Sequence, residues 1–183
     1  YLNTRVYGVD MQGNQIVAAL AHRHRTEQAF RFSARMFIDC SGDGRMAYEA
    51  GADYAYGRES RDTYGEPLAP PEADGWVMGD SIYFWARDMG RPVPYTPPEW
   101  AVHYESEDEL PHRRINSLTW GYWWVEVGRN GTLIEEGEAV RHEVLAHLYG
   151  VWALIKKRPE AANYALEWVG SLPGRRDSRR FLG

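Results

Sequence analysis

The sequence predicts an α/β chain, with strands and helices segregated as α+β within this stretch, on three observations. Residues 36–52 pass from a short apolar segment through a glycine turn into a helix-like segment. Ahead of them lies a series of alternating runs that reads as an antiparallel meander. Far downstream, residues 132–158 carry an apolar stripe at helical spacing, with acidic residues at the front and basic residues at the back.

The meander comes first. Thr4, Arg5, Val6, Tyr7, Gly8 and Val9 alternate like a half-buried strand, and Gln12, Gly13 and Asn14 supply a hairpin turn into residues 15–20. A third run over residues 28–32 leads on toward Cys40. His22 and His24 sit at strand spacing, as a metal pair would, but no third ligand is nearby and Arg23 and Arg25 flank them. They read as a solvated edge, and no metal site is predicted. Met36, Phe37, Ile38 and Cys40 read as a buried strand. Ser41, Gly42, Asp43 and Gly44 then form a turn where the backbone allows close approach of a ligand. Asp43 or Ser41 is placed to cap a helix running to Ala50, and Gly51 is placed to stop it. A strand, glycine turn and helix in this order direct free backbone N–H groups toward an anion.

From Asp53 to Pro71 the composition turns to Tyr, Gly, Arg, Glu and Pro without a clean period, which marks the exit into a second domain. Residues 76–87 read as a strand. Gly79, Asp80 and Ser81 suggest a nucleophile elbow, but Tyr83 stands where its last glycine is needed, so the hydrolase reading fails. A proline-rich connection follows over residues 90–98, then an acidic run, residues 105–109, that reads as a solvated loop. His112, Arg113 and Arg114 precede Trp120, Tyr122, Trp123, Trp124 and Glu126 within one hairpin-sized segment. The aromatics suit either a core or a pocket wall, and His112 and Glu126 are the general-base candidates.

In the long helix, Thr132 and Glu135 form a capping-box pattern, Val140, Val144, Leu148, Val151 and Ile155 the stripe, and Pro159 the stop. His142 and His147, five apart, read as ordinary surface or boundary residues. The basic run that contains Arg175, Arg176, Arg179 and Arg180 reads from composition alone as a solvated face.

The net charge of −5 argues against a nucleic-acid partner, and no apolar run approaches a membrane span. Cys40 is the single cysteine, so an internal disulfide is excluded, and it reads as a small apolar strand residue.

The stretch ARMFIDCSGDGRMAYEAGADYAYGRES resembles the strand, GDG turn and helix of the FAD-dependent oxidoreductase family, within the wider glutathione-reductase-like flavoprotein group. The likeness continues through MGDSIYFWARDMGRPVPY, HRRINSLTWGYWWVEVG, the YGVW of the long helix and NYALEWVGSLPGRRDSRRFLG. It implies an FAD cofactor and part of a Rossmann-like FAD-binding domain over residues 1–52. It also implies a mixed substrate or cap domain over residues 53–165 and a return strand over residues 166–183. It implies that Ser41, Gly42, Asp43 and Gly44 meet the cofactor. The family's P-G-K-R-E-S-R-R motif aligns with residues 173–180, Arg175 standing for Lys and Asp177 for Glu, which brings Arg176 and Arg179 toward flavin or substrate. The implied activity is hydride transfer between flavin and a small organic, sugar-like substrate, with self-association into a homo-oligomer left open. The family's G-x-G-x-x-G is not in this sequence, so the expectation is an internal piece of a larger flavoprotein that neither retains FAD nor acts alone. The rival reading is a carbohydrate-binding module in which some of the eight tryptophans stack on sugar rings.

Overall fold

The computed structural model describes residues 1–110 and 112–182. They form two compact units, Tyr1–Tyr56 together with the stretch beginning at Ser178, and Gly57–Asp177.

The first unit opens on the meander. Strand β1 (Thr4–Gln12) pairs antiparallel with β2 (Gln15–Arg23), which pairs antiparallel with β3 (Gln28–Phe32). Gln12 faces Gln15 across a two-residue loop in which Gly13 adopts φ 59°, a left-handed conformation glycine reaches without steric cost. Ala18, Ala19 and Ala21 are buried on β2. Helix α1 (Arg45–Glu49) lies against β1 and buries Met46. It ends through Ala50, and Gly51 follows with φ 75°. Strand β4 (Tyr54–Ala55) closes this run.

Residues 36–40 differ from the expected buried strand. They have no ladder partner among the described residues, and Met36 and Ile38 are 78% and 80% exposed. The apolar run is real, but no described element of this unit pairs with it.

The second unit begins with a short helix α2 (Arg61–Tyr64) and is built around two small sheets. Strand β5 (Asp80–Ser81) is separated by Ile82 and Tyr83 from β6 (Phe84–Asp88), so the single strand expected over 76–87 is two. Strand β7 (Trp120–Gly121) pairs with β6, whereas β8 (Glu126–Val127) pairs with β5. The expected hairpin over this segment therefore does not form, since its two ends belong to different sheets. The acidic run is a 3-10 turn over Glu107–Glu109, not a loop. Its capping box has the Ser106 hydroxyl accepting from Asp108 N at 3.3 Å and Glu109 Oε1 from Ser106 N at 3.1 Å.

Helix α3 (Gly137–Lys156) carries the core. Val140, Val144, Leu148 and Ile155 are fully buried, Val151 nearly so, and Trp152 meets Phe84 edge-on at 5.3 Å between ring centres. The helix starts five residues later than its apparent capping box. Thr132 makes no side-chain cap. Instead its carbonyl accepts from Glu136 N at 3.2 Å, and Leu133 is drawn fully into the core. At the other end Lys156 Nζ donates to the carbonyls of Ala161, Ala162 and Tyr164 at 2.8, 2.9 and 2.8 Å, which satisfies a turn that Pro159 would otherwise leave open. Strand β9 (Tyr164–Val169) then pairs with β6, giving the order β7-β6-β9.

The chain returns to the first unit in β10 (Arg180–Phe181), antiparallel to β4. Every strand pairing among the described residues is antiparallel. The chain is thus a mixed α+β protein of small sheets, and the parallel sheet of a doubly wound fold is not among its described elements. No helix of the described residues is long and apolar enough to cross a membrane.

Candidate functional site

In the first unit the glycine turn is held by a residue that the sequence reading passes over. Asp39 Oδ1 accepts from Ser41 N at 2.9 Å and Oδ2 from Ala47 N at 3.0 Å, while the Ser41 hydroxyl accepts from Arg45 N at 2.7 Å. Asp39 and Ser41 thus clamp the turn to the first turn of α1. Burial pushes the Asp39 carboxyl up, but hydrogen bonds from the Ser41 side chain and from the N–H groups of Ala47, Ser41 and Met46 outweigh it and hold the group below its ordinary value. Ser41, one of the two residues expected to cap the helix, thus serves the first N–H of α1, though from outside the cap position. Gly44 occupies the cap position at φ 62°, and several N–H groups expected to face an anion are engaged within the turn itself.

The two glycines differ. A Cβ on Gly42, at φ 88°, would meet nothing within 4 Å, so its face is open. A Cβ on Gly44 would stand 2.0 Å from the Phe181 ring, so its hydrogen is required by the packing of β10. The same returning segment delivers Arg179, whose Nη1 donates to the Asp43 carbonyl at 3.1 Å. Its guanidinium lies 3.9 Å from the Tyr48 ring centre and 5.6 Å from that of Tyr54. Ser41, Gly42, Asp43, Gly44 and Arg179 are therefore brought together, although 136 positions separate Asp43 from Arg179. An open glycine face beside a fixed guanidinium fits the close approach of an anionic cofactor segment.

In the second unit Glu126 stands between two arginines. Arg113 Nη2 donates to Oε1 at 3.3 Å and Arg176 Nη2 to Oε2 at 2.9 Å, and the Glu126 side chain is only 17% exposed. Both guanidiniums also lie over Trp123, at 5.2 and 5.7 Å from the ring centre. Glu126 with both oxygens engaged is suited to positioning the arginines, and its use as a base would first require breaking this arrangement. His112 takes no part in it; the residue is exposed, at φ 61°. The basic run is divided among three places. Arg175 Nη2 approaches the buried Asp80 at 3.4 Å and donates to the Leu133 carbonyl at 2.9 Å, Arg176 meets Glu126, and Arg179 meets the glycine turn.

Arg113 and Glu126 also line a cavity of about 350 Å³, with Tyr104 and His147 on its wall. The Tyr104 hydroxyl and His147 Nδ1 are 2.7 Å apart. Burial pushes the Tyr104 phenol up, reinforced by Glu109, and pushes the His147 imidazole down against the opposing pull of Glu143. His147 is half-buried, in keeping with a surface or boundary residue, but its five-residue offset from His142 gives no sign of a partner 43 positions away. His22 and His24 are exposed with ring centres 6.2 Å apart, and no group of three His, Cys, Asp or Glu among the described residues is arranged to hold a metal.

A family model described as FAD dependent oxidoreductase matches residues 1–183. No curated protein and no solved structure matches the chain. With the match spanning the whole chain, the protein belongs to the FAD-dependent oxidoreductase family and is an oxidoreductase whose cofactor is FAD.

Proposed function

We propose that this chain contributes to hydride transfer between FAD and a small organic substrate. The first unit supplies the meander and glycine turn of a Rossmann-like, glutathione-reductase-like FAD-binding domain. The observation that carries the reading is Arg179 seated on the Asp43 carbonyl beside the open face of Gly42. FAD, when bound, accepts or returns the hydride. Asp39 and Ser41 keep the turn rigid, Gly42 leaves room for the cofactor, and Arg179 places positive charge beside it. Arg113 and Arg176, spread over Trp123 by Glu126, orient the substrate. His112, with its exposed ring, takes the substrate proton.

The test uses the protein as its gene encodes it, mixed anaerobically with candidate small organic substrates while the visible flavin spectrum is followed. Bleaching by a substrate supports the reading, and His112→Gln should slow that bleaching with flavin content unchanged. A purified protein with no flavin, or with flavin that no substrate reduces, counts against it.

A further inference from the structure

The sheet β7-β6-β9 sets three tryptophans in one row. Trp85 on β6 is the direct partner of Trp120 on β7 and of Trp168 on β9. Directly opposed residues on neighbouring strands share a face, so the three indoles stand side by side on the same side of the sheet. That side is the outer one. Phe84 and Ala86, which flank Trp85, are buried, while Trp85, Trp120 and Trp168 are 55%, 50% and 49% exposed. With strands about 4.8 Å apart, the row spans about 10 Å of rigid backbone. A register shift beside Trp85 lets consecutive Glu167 and Trp168 both face solvent.

Trp168 also lines a cleft of about 460 Å³ whose wall includes Tyr95, Tyr149, Trp152, Tyr164 and Glu167. Trp168 is shared by the row and the cleft, and Tyr164 and Glu167 set a phenol and a carboxylate beside it.

A flat row of exposed aromatics suits ligands that present stacked faces, either nucleobases or the C–H faces of sugar rings. Charge decides between them. Single-stranded nucleic acid needs a basic groove along its phosphates. Here Arg87, two residues beyond Trp85, is paired with Glu167, and the chain carries a net charge of −5. The face is electrically balanced, with hydrogen-bonding groups at its edge, which fits an uncharged, hydroxyl-rich ligand. We infer that the Trp120, Trp85 and Trp168 row with its adjoining cleft binds a neutral oligosaccharide chain, sugar rings lying along the indoles. This goes beyond the redox reading and does not rest on it, because the surface uses none of the residues that reading invokes.

The test is intrinsic tryptophan fluorescence of the 183-residue chain, titrated with cellohexaose, xylohexaose and oligothymidylate, without flavin or turnover. The expected result is a saturable change with at least one of the two oligosaccharides. Trp85→Ala should weaken binding about tenfold, the order expected for loss of one aromatic stack. Trp85→Tyr should recover part of it, and Trp76→Ala, away from the row, should leave binding unchanged. Far-UV circular dichroism excludes a folding defect, and Trp85→Tyr keeps the test decisive if Trp85→Ala does not fold. No saturable response to either sugar, a response to oligothymidylate instead, or equal losses from Trp76→Ala and Trp85→Ala would overturn the inference.

Discussion

At the scale of single residues, the glycine turn separates two roles that look alike in the sequence. Gly42 and Gly44 both hold positive φ, so alanine at either incurs the left-handed cost of about 1–2 kcal/mol. Only at Gly44 does the added methyl also meet the Phe181 ring. Gly44→Ala should therefore destabilise the protein by about 1 kcal/mol or more beyond Gly42→Ala, measured by urea unfolding. Phe181→Ala combined with Gly44→Ala should show positive coupling in a double-mutant cycle. Asp39 makes a second residue-scale prediction. Its folded-state pKa lies below the ordinary 3.8, so its contribution is fully present above that value and is lost as pH falls through the lower folded one. Asp39→Asn should melt earlier than wild type at neutral pH, and the difference in melting temperature should close in strong acid. A difference that persists at low pH would assign Asp39 a role other than that of a carboxylate acceptor.

At the scale of elements, what was legible was local. The meander with its Gly13 turn, the stop at Gly51 and the buried stripe of α3 follow from period and turn chemistry. What failed depended on partners distant in sequence. Residues 36–40 have the pattern of a buried strand without a described neighbour, and the segment 112–126 is split between two sheets by pairings with β5 and β6. The capping box was misplaced for a further reason. Thr132 and Glu135 satisfy the spacing, but burial of Leu133 sets the local path, and the pattern is realised at Ser106 and Glu109 instead. Thr132→Ala should therefore change stability by no more than about 0.5 kcal/mol, whereas Leu148→Ala in the stripe should cost about 2–5 kcal/mol. Chemical denaturation of the two variants distinguishes these outcomes. A loss of about 1 kcal/mol from Thr132→Ala would restore the cap at that position.

At the scale of the whole molecule, the two units carry different parts of the candidate chemistry. The GDG turn was legible because glycine, aspartate and serine advertise a turn, but Asp39 was not, since its carboxylate works through backbone groups that no spacing reveals. The division of the basic run was equally hidden. Arg175, Arg176 and Arg179 look equivalent in sequence, and only the fold assigns them to Asp80, Glu126 and Asp43 respectively. That division predicts unequal effects on FAD. Arg179→Met removes charge beside the turn and should make bound flavin harder to reduce in a redox titration, while Arg175→Met should act through stability. The most direct measurement is the flavin content of Gly42→Val in the protein as encoded, with its fold verified by circular dichroism. Because the face of Gly42 is open to a ligand, the variant should fold but lose most of its FAD, while wild type carries it. Full flavin occupancy in folded Gly42→Val would contradict the claim that this turn lines the cofactor site.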